Sequence, residues 1–110
     1  MNNIIEKRWG SYEIISEKLA HKIKYLYIKP NCRLSDQKHF HRSEHWFILE
    51  GELEVVINGT SRIQLKKGDS LDIPVGTWHW PQNVSSDPCV VLETQYGKSF
   101  EEEDIERRAY

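Results

Sequence analysis

An all-β fold, either a sandwich or a barrel, is what the sequence predicts. Short stretches with the residue pattern of β-strands recur along the chain, and turn residues separate them. Aromatic residues make up 11% of the composition, with four Trp and five Tyr, and this share suits a small β-rich globule. The predicted strands cover residues 11–15, 23–29, 45–49, 53–57, 62–65, 70–73 and 90–95.

Asn58-Gly59 is the clearest turn signal in the chain. Both residues tolerate a positive φ, so they can close a two-residue hairpin. We therefore expect residues 53–57 to pair with residues 60–65. Only the C-terminal end has helical character, because Ser99 could cap a short helix with Glu102 three residues further on. A single helical turn and an extended tail fit that segment about equally well.

Length and composition limit the classes of function. With 110 residues the chain suits one domain, residues 1–110, since domains usually have about 100–150 residues. The formal net charge of −2 provides no basic field that would attract nucleic acid. No apolar run approaches the roughly 20 residues of a membrane helix, and the first residues lack the apolar core of a secretory signal. We therefore expect a cytoplasmic protein that binds neither nucleic acid nor membrane, with Cys32 and Cys89 as reduced thiols.

Candidate metal ligands concentrate in two segments. Gln37, His39 and His41 stand at alternate positions of a predicted strand, so their side chains should point the same way. Glu44 breaks this alternation and can join them only if the chain bends or bulges just before it. His79 follows a turn at residues 74–76 in the second segment. The two segments together are the specific signal.

These spacings resemble the two sequence motifs of the cupin family. The first motif is matched over residues 31–51 by Asn31, Gln37, His39, Glu44 and Gly51, and the second over residues 68–83 by Gly68, Pro74, Gly76, His79 and Asn83. The resemblance implies a single-domain double-stranded β-helix, or jelly-roll barrel. It also implies one divalent metal ion per chain in the mouth of the barrel. The implied ligands are Gln37, His39, Glu44 and His79.

Two positions depart from the cupin pattern. Asn31 replaces a Gly, and Asn is the residue that best substitutes for Gly at positive φ. Gln37 replaces a His, so the implied ligand set has one amide oxygen, two imidazoles and one carboxylate. Such a mixed set suits Zn²⁺, Mn²⁺, Co²⁺ or Fe²⁺, and Zn²⁺ is the metal that we expect at the site before the other three.

The first motif also resembles a narrower branch of cupins, the type II phosphomannose isomerases. The isomerase domain of that family also occurs fused to mannose-1-phosphate guanylyltransferases. The string LSDQKHFHRSEHW, residues 34–46, matches the family's Leu-Ser-x-Gln-x-His-x-His-Arg-Ser-Glu-His-Trp at every stated position. Further similarities lie at residues 9–13, 22–24, 93, 95 and 103–105. The resemblance therefore covers nearly the whole chain.

The ends of the chain depart from that family. Lys7-Arg8 stands where the family has Arg-Pro, Tyr25 stands where it has Arg, and the family's closing Asp-x-Tyr-Gly-Arg is cut short. Nothing in the chain resembles a Gly-rich phosphate loop that opens a helix, so guanylyl transfer is not expected.

The resemblance implies interconversion of mannose 6-phosphate and fructose 6-phosphate, with a hexose phosphate as the small-molecule partner. Moving a proton between C1 and C2 needs a base and an electrophile. His41 is the first candidate for the base, because it is expected to share a face with the ligands, and His45 and Glu93 follow it. Candidates to bind the phosphate are Lys24, Arg33 and Arg42, since Lys offers a point charge and Arg a planar fork of donors.

Two other functions stay open at this level. A metal-binding cupin module could bind a sugar phosphate or nucleotide sugar without turnover, and the altered ends keep this alternative open. Another metal-cupin enzyme, such as a dioxygenase or a lyase, is the third function, although Gln37 counts against a dioxygenase because such enzymes tend to use three imidazoles. We also expect a homodimer, since pairing would cover exposed sheet edges.

Overall fold

A computed structural model describes residues 3–100 and 104–108 of the protein. These residues form two antiparallel sheets. The strands of the described chain are β1 (Ile4–Lys7), β2 (Gly10–Glu17), β3 (His21–Ile28), β4 (Asp36–Lys38), β5 (Arg42–Glu50), β6 (Glu52–Ile57), β7 (Ser61–Lys66), β8 (Ser70–Ile73), β9 (His79–Gln82), β10 (Cys89–Gly97) and β11 (Glu106–Arg108). The six-stranded sheet has the order β1-β2-β3-β10-β5-β8, and the five-stranded sheet has the order β11-β4-β9-β6-β7. Many neighbours are not consecutive in the chain, as is typical of a jelly roll.

The all-β prediction is confirmed, and the seven predicted strands correspond to β2, β3, β5, β6, β7, β8 and β10. The sequence pattern does not predict β1, β9 or β11, because these are strands of three or four residues without clear alternation. The helix expected to begin at Ser99 falls mainly on residues 101–103, which lie outside the described residues. Glu106–Arg108 beyond them is a strand. No described segment is a helix that could cross a membrane.

β6 and β7 form the predicted hairpin. Asn58 and Gly59 have φ values of 51° and 75°, and the amide of Thr60 donates to the carbonyl of Ile57 at 3.2 Å. Thr60 belongs to the turn, so the pairing begins one residue later than the expected 60–65, with Ser61 opposite Ile57. Asn31 has a φ of 59°, which confirms that it occupies a backbone position suited to Gly.

Three adjacent strands, β3, β10 and β5, divide the interior into a polar half and an apolar half. The inward residues at the polar end are Lys22, Lys24, Gln95, Glu93, Arg42 and Glu44, and those at the apolar end are Leu26, Ile28, Val91, Cys89, Trp46 and Ile48. The register aligns each half across the three strands, since Gln95 pairs with Lys22 and Glu44, and Val91 pairs with Leu26 and Ile48. The fold therefore collects buried polar side chains at one end of the barrel.

The apolar half forms the core. Leu53 and Val55 of β6 and Ile73 of β8 close it from the other strands. Burying one such side chain stabilises the fold by about 1.5–3 kcal/mol, which helps to offset the cost of the polar end. Both cysteines are free thiols, as expected, and burial raises the pKa of Cys89 to about 11.

Candidate metal centre

Three buried side chains converge at the polar end of the barrel. His39 follows β4, Glu44 lies in β5 and His79 begins β9. One ligand atom of each lies within 4.8 Å of the others. Nε2 of His39 is 3.2 Å from Oε2 of Glu44, and Nε2 of His79 is 3.4 Å from Oε1 of the same carboxylate. The cluster therefore has the residue types and the separations of a metal site.

Backbone carbonyls orient both imidazoles. Nδ1 of His39 lies 2.8 Å from the carbonyl oxygen of Asp104, and Nδ1 of His79 lies 2.9 Å from that of Thr77. A carbonyl only accepts, so each Nδ1 carries the hydrogen. Nε2 of each ring then faces Glu44, to which it donates while the ring is protonated. Once the ring is neutral, the same nitrogen presents a lone pair to a metal, which is the arrangement usual for a histidine ligand.

The donor set fits a divalent transition metal. Zn²⁺ lies about 2.0–2.1 Å from imidazole nitrogen, so two ligands of one tetrahedral ion are roughly 3.4 Å apart. The separations of 3.2 and 3.4 Å between Glu44 and the two histidines are close to that value. Imidazole and carboxylate serve Zn²⁺, Mn²⁺, Co²⁺ and Fe²⁺ alike, so the cluster does not select one of them.

Gln37, the fourth predicted ligand, lies beside this cluster. It pairs with His79 across β4 and β9, and its side chain lines the same cavity. Its amide nitrogen donates to Oγ of Ser35 at 3.1 Å, so the amide oxygen is the atom available to an ion. Its membership in the ligand set stays a prediction.

Neighbouring groups hold Glu44 ionised. Burial raises the pKa of Glu44, but hydrogen bonds from His39 and His79 outweigh burial and bring the pKa well below its ordinary value. Burial lowers the pKa of His79, and the Glu44 carboxylate more than reverses this, so the pKa is raised. Nε and Nη2 of Arg42 each lie 3.1 Å from Oε2 of the same carboxylate. The carboxylate is thus a negative centre suited to a cation.

A cavity of about 340 Å³ extends from this cluster to the surface. The described charged residues in its wall are Lys7, Lys24, Arg42 and Arg107, and Glu44 and Glu93. Lys7 and Arg107 are exposed and mark the mouth, whereas Lys24 is buried, with Nζ 4.4 Å from the centre of the Tyr12 ring. The excess of cationic side chains favours an anionic ligand.

Glu93 is the second carboxylate of the cavity and is also buried. Its Oε2 accepts from Nε1 of Trp46 at 3.0 Å, and its Oε1 accepts from Nε2 of Gln95 at 2.9 Å. Burial and the nearby charge of Glu44 raise the pKa of Glu93 to about 7, although Lys24 opposes the shift. The carboxyl can therefore exist in either protonation state near neutral pH.

The expectation that His41 shares a face with the ligands is wrong. β4 ends at Lys38, so the alternation of a strand does not extend to residue 41. The side chain of His41 is 58% exposed and its Nδ1 lies 3.1 Å from Oδ1 of Asp104. His45 also faces outward, because it neighbours the inward Glu44 in β5, and its Nδ1 lies 2.7 Å from Oδ1 of Asp72. Neither imidazole lines the cavity.

The three predicted phosphate ligands occupy different places. Lys24 lines the cavity. Arg42 lines it as well, but two of its nitrogens contact Glu44 at the metal cluster. Arg33 is exposed outside the cavity wall, with its guanidinium 4.9 Å from the centre of the Trp80 ring. Lys24 and Arg42 therefore line the cavity, and Arg33 does not.

Sequence reasoning missed Lys7, Arg107 and Asp104. The first two line the cavity mouth. Asp104 accepts hydrogen bonds from the backbone amides of Phe40 and His41, both at 2.9 Å, and these bonds outweigh burial and lower its pKa. Its carbonyl orients His39. The resemblance at residues 103–105 was the available signal, but only the pairing of β11 with β4 brings Asp104 to the site.

One known protein family matches the chain over almost its whole length. The model of the family described as Mannose-6-phosphate isomerase C-terminal matches residues 1–109. The chain belongs to this family. The match to this family therefore includes both metal motifs and the segments that form the cavity mouth.

Relatives of this isomerase family are longer proteins. Mannose-1-phosphate guanylyltransferase ManC of Salmonella typhimurium is 34% identical over 107 residues, which are 97% of this chain and 22% of that protein. Alginate biosynthesis protein AlgA of Pseudomonas aeruginosa is 33% identical over 103 residues, which are 94% of this chain and 21% of that protein. The chain thus spans about a fifth of the length of these curated relatives.

Solved structures share the fold at low identity. The capsular polysaccharide assembling protein CapF from Staphylococcus aureus gives a TM-score of 0.84 at 17% identity and covers 100% of this chain and 35% of that chain. Oxalate decarboxylase from Lactobacillus farciminis gives 0.82 at 18% identity, with coverage of 96% and 33%. A protein from Klebsiella pneumoniae with a double-stranded β-helix domain gives 0.78 at 16% identity, with coverage of 89% and 83%. These likenesses confirm the double-stranded β-helix of the cupins.

Proposed function

We propose that the chain interconverts mannose 6-phosphate and fructose 6-phosphate. One divalent ion would be held by Gln37, His39, Glu44 and His79, and Zn²⁺ is the first candidate for that ion. The position of Glu93 carries the proposal, because this buried carboxylate lies in the same cavity as the metal cluster. Family membership supports the choice of sugar. The names of the relatives support a role in supplying precursors of sugar nucleotides or polysaccharides.

The phosphate group is assigned to the mouth of the cavity. Lys7 and Arg107 are exposed there, and Lys24 lies further inside. Arg offers a planar fork of donors to phosphate, and Lys offers a compact charge. This placement leaves the sugar carbons to extend inward, toward Glu93 and the metal cluster.

Glu93 is assigned the proton transfer. When bound, the metal supplies a Lewis acid that polarises the sugar carbonyl. Glu93 removes the proton from C2 and returns it to C1, since one base can serve both adjacent carbons. The proton of the C2 hydroxyl passes to the C1 oxygen in the same interconversion, so that the aldehyde becomes a hydroxyl and C2 becomes the carbonyl. Trp46 and Gln95 hold the carboxylate in position through their hydrogen bonds. Burial keeps bulk water from the carboxylate and so makes it a stronger base.

A coupled assay of the purified chain tests this proposal. We expect turnover of mannose 6-phosphate to fructose 6-phosphate with Zn²⁺, Mn²⁺, Co²⁺ or Fe²⁺ restored, and its loss after chelation. Tight binding of mannose 6-phosphate without turnover with any of these metals would instead favour a binding module.

Lys24→Met is expected to weaken hexose 6-phosphate binding by about 10- to 100-fold, because it removes a charged donor from the cavity wall. KM and calorimetric titration measure the effect, and metal content should not change. Arg33→Met is the matched control, since Arg33 is a cation of the same chain outside the cavity wall. An equal loss of affinity in the two variants would contradict the assignment of Lys24.

A further inference from the structure

Two polar atoms in the cavity wall have no hydrogen-bond partner within the described part of the chain. They are Nη1 of Arg42 and Oε1 of Gln95, and the two residues are 5% and 1% exposed. Buried polar atoms in folded proteins are nearly always paired. A spare donor and a spare acceptor in a ligand cavity therefore indicate which groups of a ligand they bind.

The remaining bonds of each side chain determine which atom is spare. Nε and Nη2 of Arg42 both contact Glu44, which leaves Nη1. Nε2 of Gln95 donates to Oε1 of Glu93 at 2.9 Å, and Oε2 of Glu93 accepts from Trp46. While Glu93 is ionised, turning the Gln95 amide around would place its oxygen against a carboxylate oxygen, so Oε1 is the atom left for a ligand.

The two spare atoms belong to neighbouring positions on the inward face. Gln95 pairs with Glu44, and Gly97, two residues further along β10, pairs with Arg42. Side chains diagonally across two antiparallel strands are about 7–8 Å apart on one face. Gln95 thus lies opposite Glu44 in β10, and Arg42 lies two residues before Glu44 in β5. Both are buried, whereas Lys7 and Arg107 at the mouth are exposed.

We propose that Gln95 and Arg42 form a subsite that binds hydroxyl groups of the sugar. A hydroxyl donates one hydrogen bond and accepts others, so two hydroxyls on adjacent carbons can satisfy both atoms across this span. An ionised carboxylate or phosphate only accepts, and it would leave Gln95 unpaired. The subsite therefore selects a polyol over a simple dianion such as oxalate, and it rests on the proposed function because that function provides a sugar phosphate as the ligand.

Binding of deoxy sugars to the metal-loaded chain tests the subsite. The probes are 1,5-anhydromannitol 6-phosphate, which cannot isomerise, and its 2-deoxy, 3-deoxy and 4-deoxy analogues, titrated by calorimetry. We expect the wild-type chain to bind at least one deoxy analogue about 10-fold more weakly than the parent. The Gln95→Met variant should bind the parent about 10-fold more weakly than the wild-type chain does. Its affinities for the parent and for that deoxy analogue should agree within about twofold. Its affinity for inorganic phosphate should equal that of the wild type.

Two results would overturn the subsite. One is equal binding of the parent and all three deoxy analogues by the wild-type chain, which needs no variant. The other is a folded Gln95→Met variant that still distinguishes the parent from the deoxy analogue as strongly as the wild-type chain does. Both concern binding alone and leave the isomerase proposal untouched. A wild-type chain that discriminates through Gln95 but turns over no mannose 6-phosphate would uphold the subsite while the isomerase proposal fails.

Discussion

His39→Ala is expected to abolish metal binding, and isomerase activity with it. Nε2 of His39 lies 3.2 Å from Glu44, and the substitution removes one of two imidazoles from the cluster. Loss of groups that merely support a ligand weakens metal binding by about 10- to 100-fold, so loss of the ligand itself should exceed that range. Metal analysis after dialysis and the visible absorption of bound Co²⁺ measure the change without relying on activity.

His45→Ala is the matched control for His39→Ala. His45 is also an imidazole, but it faces outward and contacts Asp72. Its removal should leave metal content and turnover unchanged, which also tests the earlier suggestion that His45 transfers the proton. Retention of stoichiometric metal by folded His39→Ala would contradict the metal centre.

Glu93→Gln is expected to lower kcat by about 10²- to 10⁴-fold, the usual contribution of a general base. The amide has nearly the shape of the carboxyl but cannot take up the C2 proton. Its oxygen can still accept from Nε1 of Trp46, and the Gln95 amide can turn its oxygen toward the new NH2 group, so the fold and the metal cluster should persist. Exchange of the C2 hydrogen of mannose 6-phosphate with deuterated solvent, followed by NMR, should fall together with kcat.

Glu50→Gln is the control for this substitution. Glu50 is an exposed carboxylate at the end of β5 that contacts Lys67, and exposed ion pairs contribute little to stability. We expect wild-type kcat and metal content in this variant. If Glu93→Gln retained wild-type kcat and C2 exchange, the proton would have to be transferred by another group.

The strands and turns of the metal motifs were predictable because their signals are local. Asn58-Gly59 and Asn31 occupy positive-φ positions in the structure, as their residue types indicated. The bend before Glu44 was also required by the sequence, since an unbroken strand would have directed Glu44 away from His39. The structure has this bend between β4 and β5, and Glu44 is buried beside His39.

The expectation that His41 shares a face with the ligands failed for a physical reason. Alternation along a strand holds only while the backbone stays extended, and β4 ends three residues before His41. The bend that brings Glu44 inward also turns His41 outward, toward Asp104. The homodimer and the cytoplasmic location stay predictions.

By itself, the sequence determined the all-β class, the two motifs and the identity of the residues able to hold a metal, because spacing and turn chemistry act over a few residues. Only the tertiary structure decided which charges share the cavity with them. Lys7 and Arg107 come from opposite ends of the chain, and Arg107 reaches the site through its pairing with Gln37. Such long-range pairing depends on how the whole barrel closes, and no local sequence pattern predicts it.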